Sequence, residues 1–445
     1  MIRVRIGLVA RGTEAVPIGE IEEMTSEGIR ESLTQSGLHV VTERIPGFHS
    51  VALGIFFRQG SRDEDVKTNG ASHLIEHMLF KGTSKRSSKE ILADIERLGG
   101  ISDGFTAKEI TGITIRCLTD SMKPLVALLL EMLGSSTFEA KELRKEKRVI
   151  YEEMRSAEED PQDTVFDRFF EACFAPHPLG YPVIGRRKAL SGIGRERLIE
   201  VYRKKYTLAD SILVAVGNVK EEELIGLLPR RMKLVSGERK VRAQPVENSA
   251  PISMVHTRKD LSQVHAVMGT QTVGTNSDER FPLALLATLL GGGMSSRLFS
   301  LLREDKGLVY TVSSFLELFE DCGVAGFYFI TEKSKLGKVF RAIEQEVSRL
   351  KKKGLRAGEL DTAKTLTKSS LLLSMESLSH RMARLGHWKL SAQRFRTIPQ
   401  TLAAFEKVTE DEVLDVARKF FDSKVFHTSF VGPITERDTN PLTRR

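Results

Sequence analysis

The sequence predicts an α+β protein of two homologous domains, each an antiparallel β-sheet with helices packed mainly on one face. Three observations lead there. The segments EVYRKKYTLADSILVAVG (200–217) and DVARKFFDSKVFHTSFVG (415–432) align without a gap at an offset of 215 positions. Val201 falls on Val416, Arg203 on Arg418, Lys204 on Lys419 and Gly217 on Gly432, the mark of a duplicated unit. Residues 233–249 are polar and charged, contain Gly237 and Pro245, and are flanked by apolar patterned sequence, as a linker is. Runs of β-branched and aromatic residues alternate with amphipathic patterns of very unequal length, which argues against regular βαβ repeats.

Taken in order, residues 1–27 read as an N-terminal extension. Arg3, Arg5 and Arg11 are followed at once by Glu14, Glu20, Glu22 and Glu23, and the apolar run is too short for a secretory signal. The first domain is expected over 28–232, with strands at 51–57 and 110–117, helices at 70–80 and 141–155, and a helix end leading into a buried strand at 200–217. A linker is expected at 233–250. The second domain, 251–445, has strand patterns at 264–269 and 326–330 and an apolar helix at 282–290. Residues 300–310 read as a helix ended by Gly307 and followed by a strand.

Composition narrows the classes. A chain of 445 residues is about three times the ~150 of a typical domain, and its 40% hydrophobic and 28% charged residues are ordinary globular usage. The longest apolar stretch, 281–290, falls short of the ~18 residues that cross a bilayer. Cys117, Cys173 and Cys322 are odd in number and form no CxxC pair, so neither a disulfide framework nor a cysteine zinc site is expected. A reducing compartment fits: the cytoplasm, with the mitochondrial matrix as the alternative. The net charge of +8 is dispersed among neighbouring acids and comes with no groove-reading or base-stacking motif, so nucleic acid is not an expected partner.

The chemistry-bearing segment is His73-Leu74-Ile75-Glu76-His77. On a helix, His73 and His77 stand one above the other and can share one zinc ion. Glu76 lies on nearly the same face, where its carboxylate can take the proton of a water that the metal activates. This is HxxEH, the inverse of the HExxH pattern. A catalytic zinc wants a third protein ligand. The helix at 141–155 offers Glu146 and Glu153, seven residues apart and on one face with Val149 and Ile150, whereas Glu152 points about 100° away from Glu153. A carboxylate among apolar neighbours favours Glu153 as ligand and Glu146 as its supporting partner. From spacing alone, polar histidines on an apolar face and a solvated acidic face stay open as readings.

The string HLIEHMLFKGT, followed by the second Glu of VIYEEM, resembles the pitrilysin or insulinase (M16) family of zinc metallopeptidases, in its two-domain, processing-peptidase-like branch. GSRDE at 60–64, HPLG at 177–180 and LGGGMSSRL at 290–298 are similar to the family's signatures. The resemblance implies one Zn2+ per chain on His73, His77 and Glu153, Glu76 as general base and Glu146 as auxiliary acid. It also implies that Arg303 and Tyr310 contact substrate and stabilise the tetrahedral intermediate. It makes Asp103, Gly104 and Phe105 part of an edge strand that pairs with substrate, although Asn-Ala is commoner there than this chain's Asp103-Gly104.

Two domains facing each other as a clamshell, an enclosed chamber, a homodimer, and peptides or unfolded polypeptides as substrates are likewise what the resemblance implies. The apolar helix at 282–290 holds neither His nor Glu, so the expected site is asymmetric, with the metal on one half. A non-catalytic assembly subunit of the same fold, or a peptidase needing a distinct partner chain, are the competing readings.

Overall fold

The computed structural model describes residues 28–229, 234, 241–245, 250–391 and 395–443; the expected extension and most of the expected linker lie outside them. Two sheets organise the chain. The first comprises β1 (Ile29–Leu33), β2 (His39–Arg44), β3 (Ser50–Phe57), β4 (Ile101–Thr106), β5 (Thr111–Leu118) and β6 (Ser211–Gly217), in the order β1-β2-β6-β3-β5-β4. The second comprises β7 (Ser253–Thr257), β8 (Val264–Val273), β9 (Thr311–Leu318), β10 (Cys322–Thr331) and β11 (His427–Gly432), in the order β7-β11-β8-β10-β9.

Apart from β1, the two orders are the same. The strands of the repeated segment, β6 and β11, occupy equivalent places, and each ends in a glycine tight against a neighbouring backbone. A Cβ on Gly217 would lie 2.4 Å from the Ser50 carbonyl oxygen, and one on Gly432 would lie 2.8 Å from that of Gln263. Neither sheet is purely antiparallel, which corrects the expectation: β2 runs parallel to β6, and β7 parallel to β11. The cause is connectivity. β6 and β11 return at the end of each repeat through a long helical crossover, which can deliver a strand parallel to its neighbour where a hairpin cannot.

By compactness the chain divides into one unit of residues 1–150, 183–242 and 374–390, and another of 151–182, 243–373 and 391–445. All strands of the first sheet precede residue 233 and all strands of the second follow 250, but two helices are exchanged. In the first unit, helix Leu378–Leu390 packs on β3 and β6. Its Gly386 lies against the ring of Phe56, and Arg381 and Lys389 pair with Glu43 and Glu31. In the second unit, helix Pro161–Phe174 packs on β8 and β11 and buries Phe169, Phe170 and Phe174 beside Val267, Val324 and Val431. The opposite face of that sheet carries the unit's main core, in which Phe327 and Phe329 meet Leu285, Leu286 and Phe340. Cys117, Cys173 and Cys322 are all buried.

Candidate metal centre

The motif segment folds as helix Ala71–Leu79. Leu74, Ile75 and Met78 are buried and hold it against β4 and β5, which leaves His73, Glu76 and His77 half-buried on the remaining face. The start of this helix is fixed by Glu64, the last residue of the GSRDE segment. One carboxylate oxygen accepts the backbone N–H of Gly70 at 2.8 Å and the Asn69 side-chain amide at 3.0 Å; the other accepts the Ser72 N–H at 2.7 Å. An acidic group at a helix N-terminus satisfies otherwise unpaired N–H groups and complements the helix dipole. Burial pushes the Glu64 carboxyl up to about 7, against the lowering effect of those donors.

The second contributor is helix Ala140–Glu159, which runs through the division between the units after Ile150. Its buried stripe is Leu143, Glu146, Ile150 and Met154. Val149, expected on that stripe, is 43% exposed, because it stands about 100° around the helix from Ile150, at the stripe's outer side. Glu152 points outward and pairs with Arg155 at 2.7 Å, while Glu153 turns toward the motif helix.

His73, His77 and Glu153 each offer a donor atom, all within 4.8 Å of one another. The two Nε2 atoms are 3.2 Å apart. Ligands at ~2.0–2.1 Å on a tetrahedral zinc are separated by about 3.3 Å, so two imidazoles and a carboxylate in this arrangement fit such an ion and leave a fourth position for water or substrate. Burial, with the neighbouring His77, lowers the pKa of His73 to about 4, which keeps the ring neutral as a ligand must be. His77 faces Glu146 through Nδ1 at 3.2 Å. A carboxylate that accepts there places the ring proton on Nδ1 and frees Nε2 for metal. The other Glu146 oxygen pairs with Lys81 at 3.0 Å, a partner that the sequence reading did not single out.

Glu76 has two neighbours on β4. Thr106 donates its hydroxyl to Glu76 Oε2 at 2.9 Å, and a Cβ built on Gly104 would fall 2.6 Å from Glu76 Oε1. Asp103 is exposed on the same strand. Phe105 packs away from the motif helix, with its ring 6.0 Å from that of Phe56. β4 is the edge of its sheet.

In the second unit, Arg303 lies in a short π-helix, Phe299–Asp305, and Tyr310 lies one residue before β9. The Arg303 guanidinium carbon is 5.7 Å from the Tyr310 ring centroid and 4.9 Å from that of Phe299. Tyr310 is 69% exposed. Arg297 of the LGGGMSSRL segment is buried and tied to Glu346 at 3.3 Å and to Glu359 at 2.5 Å, so it serves the core. The helix that follows β8, Arg280–Gly291 (RFPLALLATLLG), offers no metal donor at the place where the first unit carries its motif.

Among known proteins, residues 39–187 match "Insulinase (Peptidase family M16)" and residues 192–367 match "Peptidase M16 inactive domain". An uncharacterized zinc protease of Mycobacterium tuberculosis is 34% identical over 91% of this chain and 93% of its own. One of Bacillus subtilis is 33% identical over 88% and 96%. A protease from Helicobacter pylori superposes with a TM-score of 0.84 at 21% identity, covering 91% of this chain and 99% of that one. A chain of Complex III2 from Candida albicans does so with a TM-score of 0.80 at 18% identity, covering 94% and 100%.

Proposed function

Because the chain belongs to the insulinase family, peptidase family M16, we propose that it is a zinc-dependent endopeptidase acting on peptides or unfolded polypeptides. The convergence of His73, His77 and Glu153 to within 4.8 Å, with Glu76 on the same helix face as the two histidines, carries this reading. When bound, zinc would act as a Lewis acid toward the scissile carbonyl and make a water acidic enough to be deprotonated near neutral pH.

The chain's own groups do the rest. Glu76 takes the proton of the attacking water and returns it to the departing amine nitrogen. Glu146, itself paired with Lys81, holds the His77 ring. The peptide adds to the free edge of β4 through main-chain hydrogen bonds, beside Asp103, Gly104 and Phe105. Arg303 and Tyr310 supply donors to the oxyanion. The active species is a homodimer of this one chain.

The test is cleavage of an unstructured peptide mixture, read by mass spectrometry, for wild type and Glu76→Gln after chelation and zinc replacement. Cleavage by wild type alone, with equal zinc content in both, supports the assignment. A second reading, a non-catalytic assembly subunit, takes its support from the fold likeness to the Complex III2 chain. Wild-type protein that binds zinc and cuts nothing would favour that reading, or one in which a distinct partner chain is needed.

A further inference from the structure

Strand alternation puts Gly104 and Thr106 on the face of β4 that meets the motif helix, and Phe105 on the other. Phe105 anchors the strand: its ring covers Gly112, where a Cβ would come within 2.4 Å of Phe105 Cε1, and it approaches the buried ring of Phe56. From this fixed strand, the Thr106 hydroxyl holds one oxygen of Glu76 at 2.9 Å. The other oxygen lies so close to Gly104 that any side chain there would displace it. A glutamate has three rotatable side-chain bonds, and an unrestrained carboxylate would spend little time aimed at a water.

We propose that β4 is a socket that aims the Glu76 carboxylate, with Thr106 fixing one oxygen by its hydroxyl and Gly104 leaving room for the other. Both are positioning residues, and the inference rests on the peptidase reading of the site. Its consequence is that the strand edge that would receive the peptide backbone also orients the base, so the register of the scissile bond and the direction of proton transfer are set by one element.

The experiment compares wild type with Thr106→Val, which keeps the shape and removes the donor, Thr106→Ser, which restores it, and Gly104→Ala. Loss of one hydrogen bond to a charged group corresponds to a fall in kcat of about tenfold or more for Thr106→Val, and displacement of the carboxylate by the added methyl should lower kcat by a similar factor in Gly104→Ala, with KM within about twofold in both. Zinc content and affinity stay at wild-type values, and Thr106→Ser recovers to within about threefold of wild type.

Crystal structures of the same proteins give the second readout. The Glu76 carboxylate should keep its contact with the hydroxyl at position 106 in wild type and in Thr106→Ser, and leave the strand in the other two. Wild-type kcat in Thr106→Val, equal impairment in Thr106→Ser, or an unmoved carboxylate in Gly104→Ala would overturn the proposal. If wild type cuts no peptide, the reading of this chain as a peptidase active by itself fails, and the carboxylate positions alone decide whether the socket exists.

Discussion

Glu146 and His77 form a carboxylate–imidazole pair, Oε2 to Nδ1 at 3.2 Å, on two helices that also bring together the three candidate metal donors. A carboxylate there favours the tautomer of His77 that carries its proton on Nδ1 and leaves Nε2 to a metal. Glu146→Gln should therefore lower zinc affinity by about 10–100-fold while leaving the fold intact, as measured by competition with a chromophoric chelator. Lys81→Met, which removes the cation on the other oxygen, should act in the same direction and more weakly. Unchanged affinity in Glu146→Gln would show that His77 is oriented by something else.

Glu64 links the start of the motif helix to pH. Its folded pKa of about 7 lies above the ordinary carboxylate value of 4.5, so this group's contribution to stability is full below about 4.5 and is lost as pH rises toward 7. Comparing urea midpoints of zinc-free wild type and Glu64→Gln isolates it, since other titrations are shared. The stability advantage of wild type over the variant should shrink between pH 5 and about pH 7.5. An advantage that grows over that range would reverse the assigned direction.

Tyr310 offers a separation of activity from stability. At 69% exposure, its hydroxyl should contribute little to folding, and Tyr310→Phe should melt within about 0.5 kcal/mol of wild type. If it donates to the oxyanion, kcat/KM falls by about tenfold or more. A variant as active as wild type removes Tyr310 from the proposed machinery without touching the zinc assignment.

Gly386 tests the exchanged helix. A Cβ there would stand 2.8 Å from Cδ2 of the fully buried Phe56. Gly386→Ala gains about 1 kcal/mol of helix propensity, but crowding a packed ring costs about 1–3 kcal/mol, and the net should be destabilising. Equilibrium urea unfolding gives the sign.

The convergence of the candidate metal donors was legible because HxxEH and the two glutamates sit on helices, where spacing translates directly into direction. His73, His77 and Glu153 meet as their numbers suggest, and Glu152 points away. The duplication was legible in the 200–217 and 415–432 repeat, since β6 and β11 hold equivalent places. Three things were not. Parallel pairing of β2 with β6 depends on where a returning strand enters the sheet, which hydrophobic pattern does not encode. Thr106 reaches Glu76 across 30 positions, and Lys81 reaches Glu146 across a gap between helices, both through tertiary approach alone. The helix exchange was hidden because an amphipathic helix shows only that it has an apolar face, and not which sheet receives it.

That exchange imposes an order on synthesis. The last strand of the first sheet, β6, is complete at Gly217, yet the helix that covers β3 and β6 ends at Leu390. At ribosomal rates of about 5–20 residues per second, roughly 10–35 seconds separate the two. During that interval the nascent chain carries an uncovered apolar surface around Phe56, a target for chaperones and for premature association with other chains.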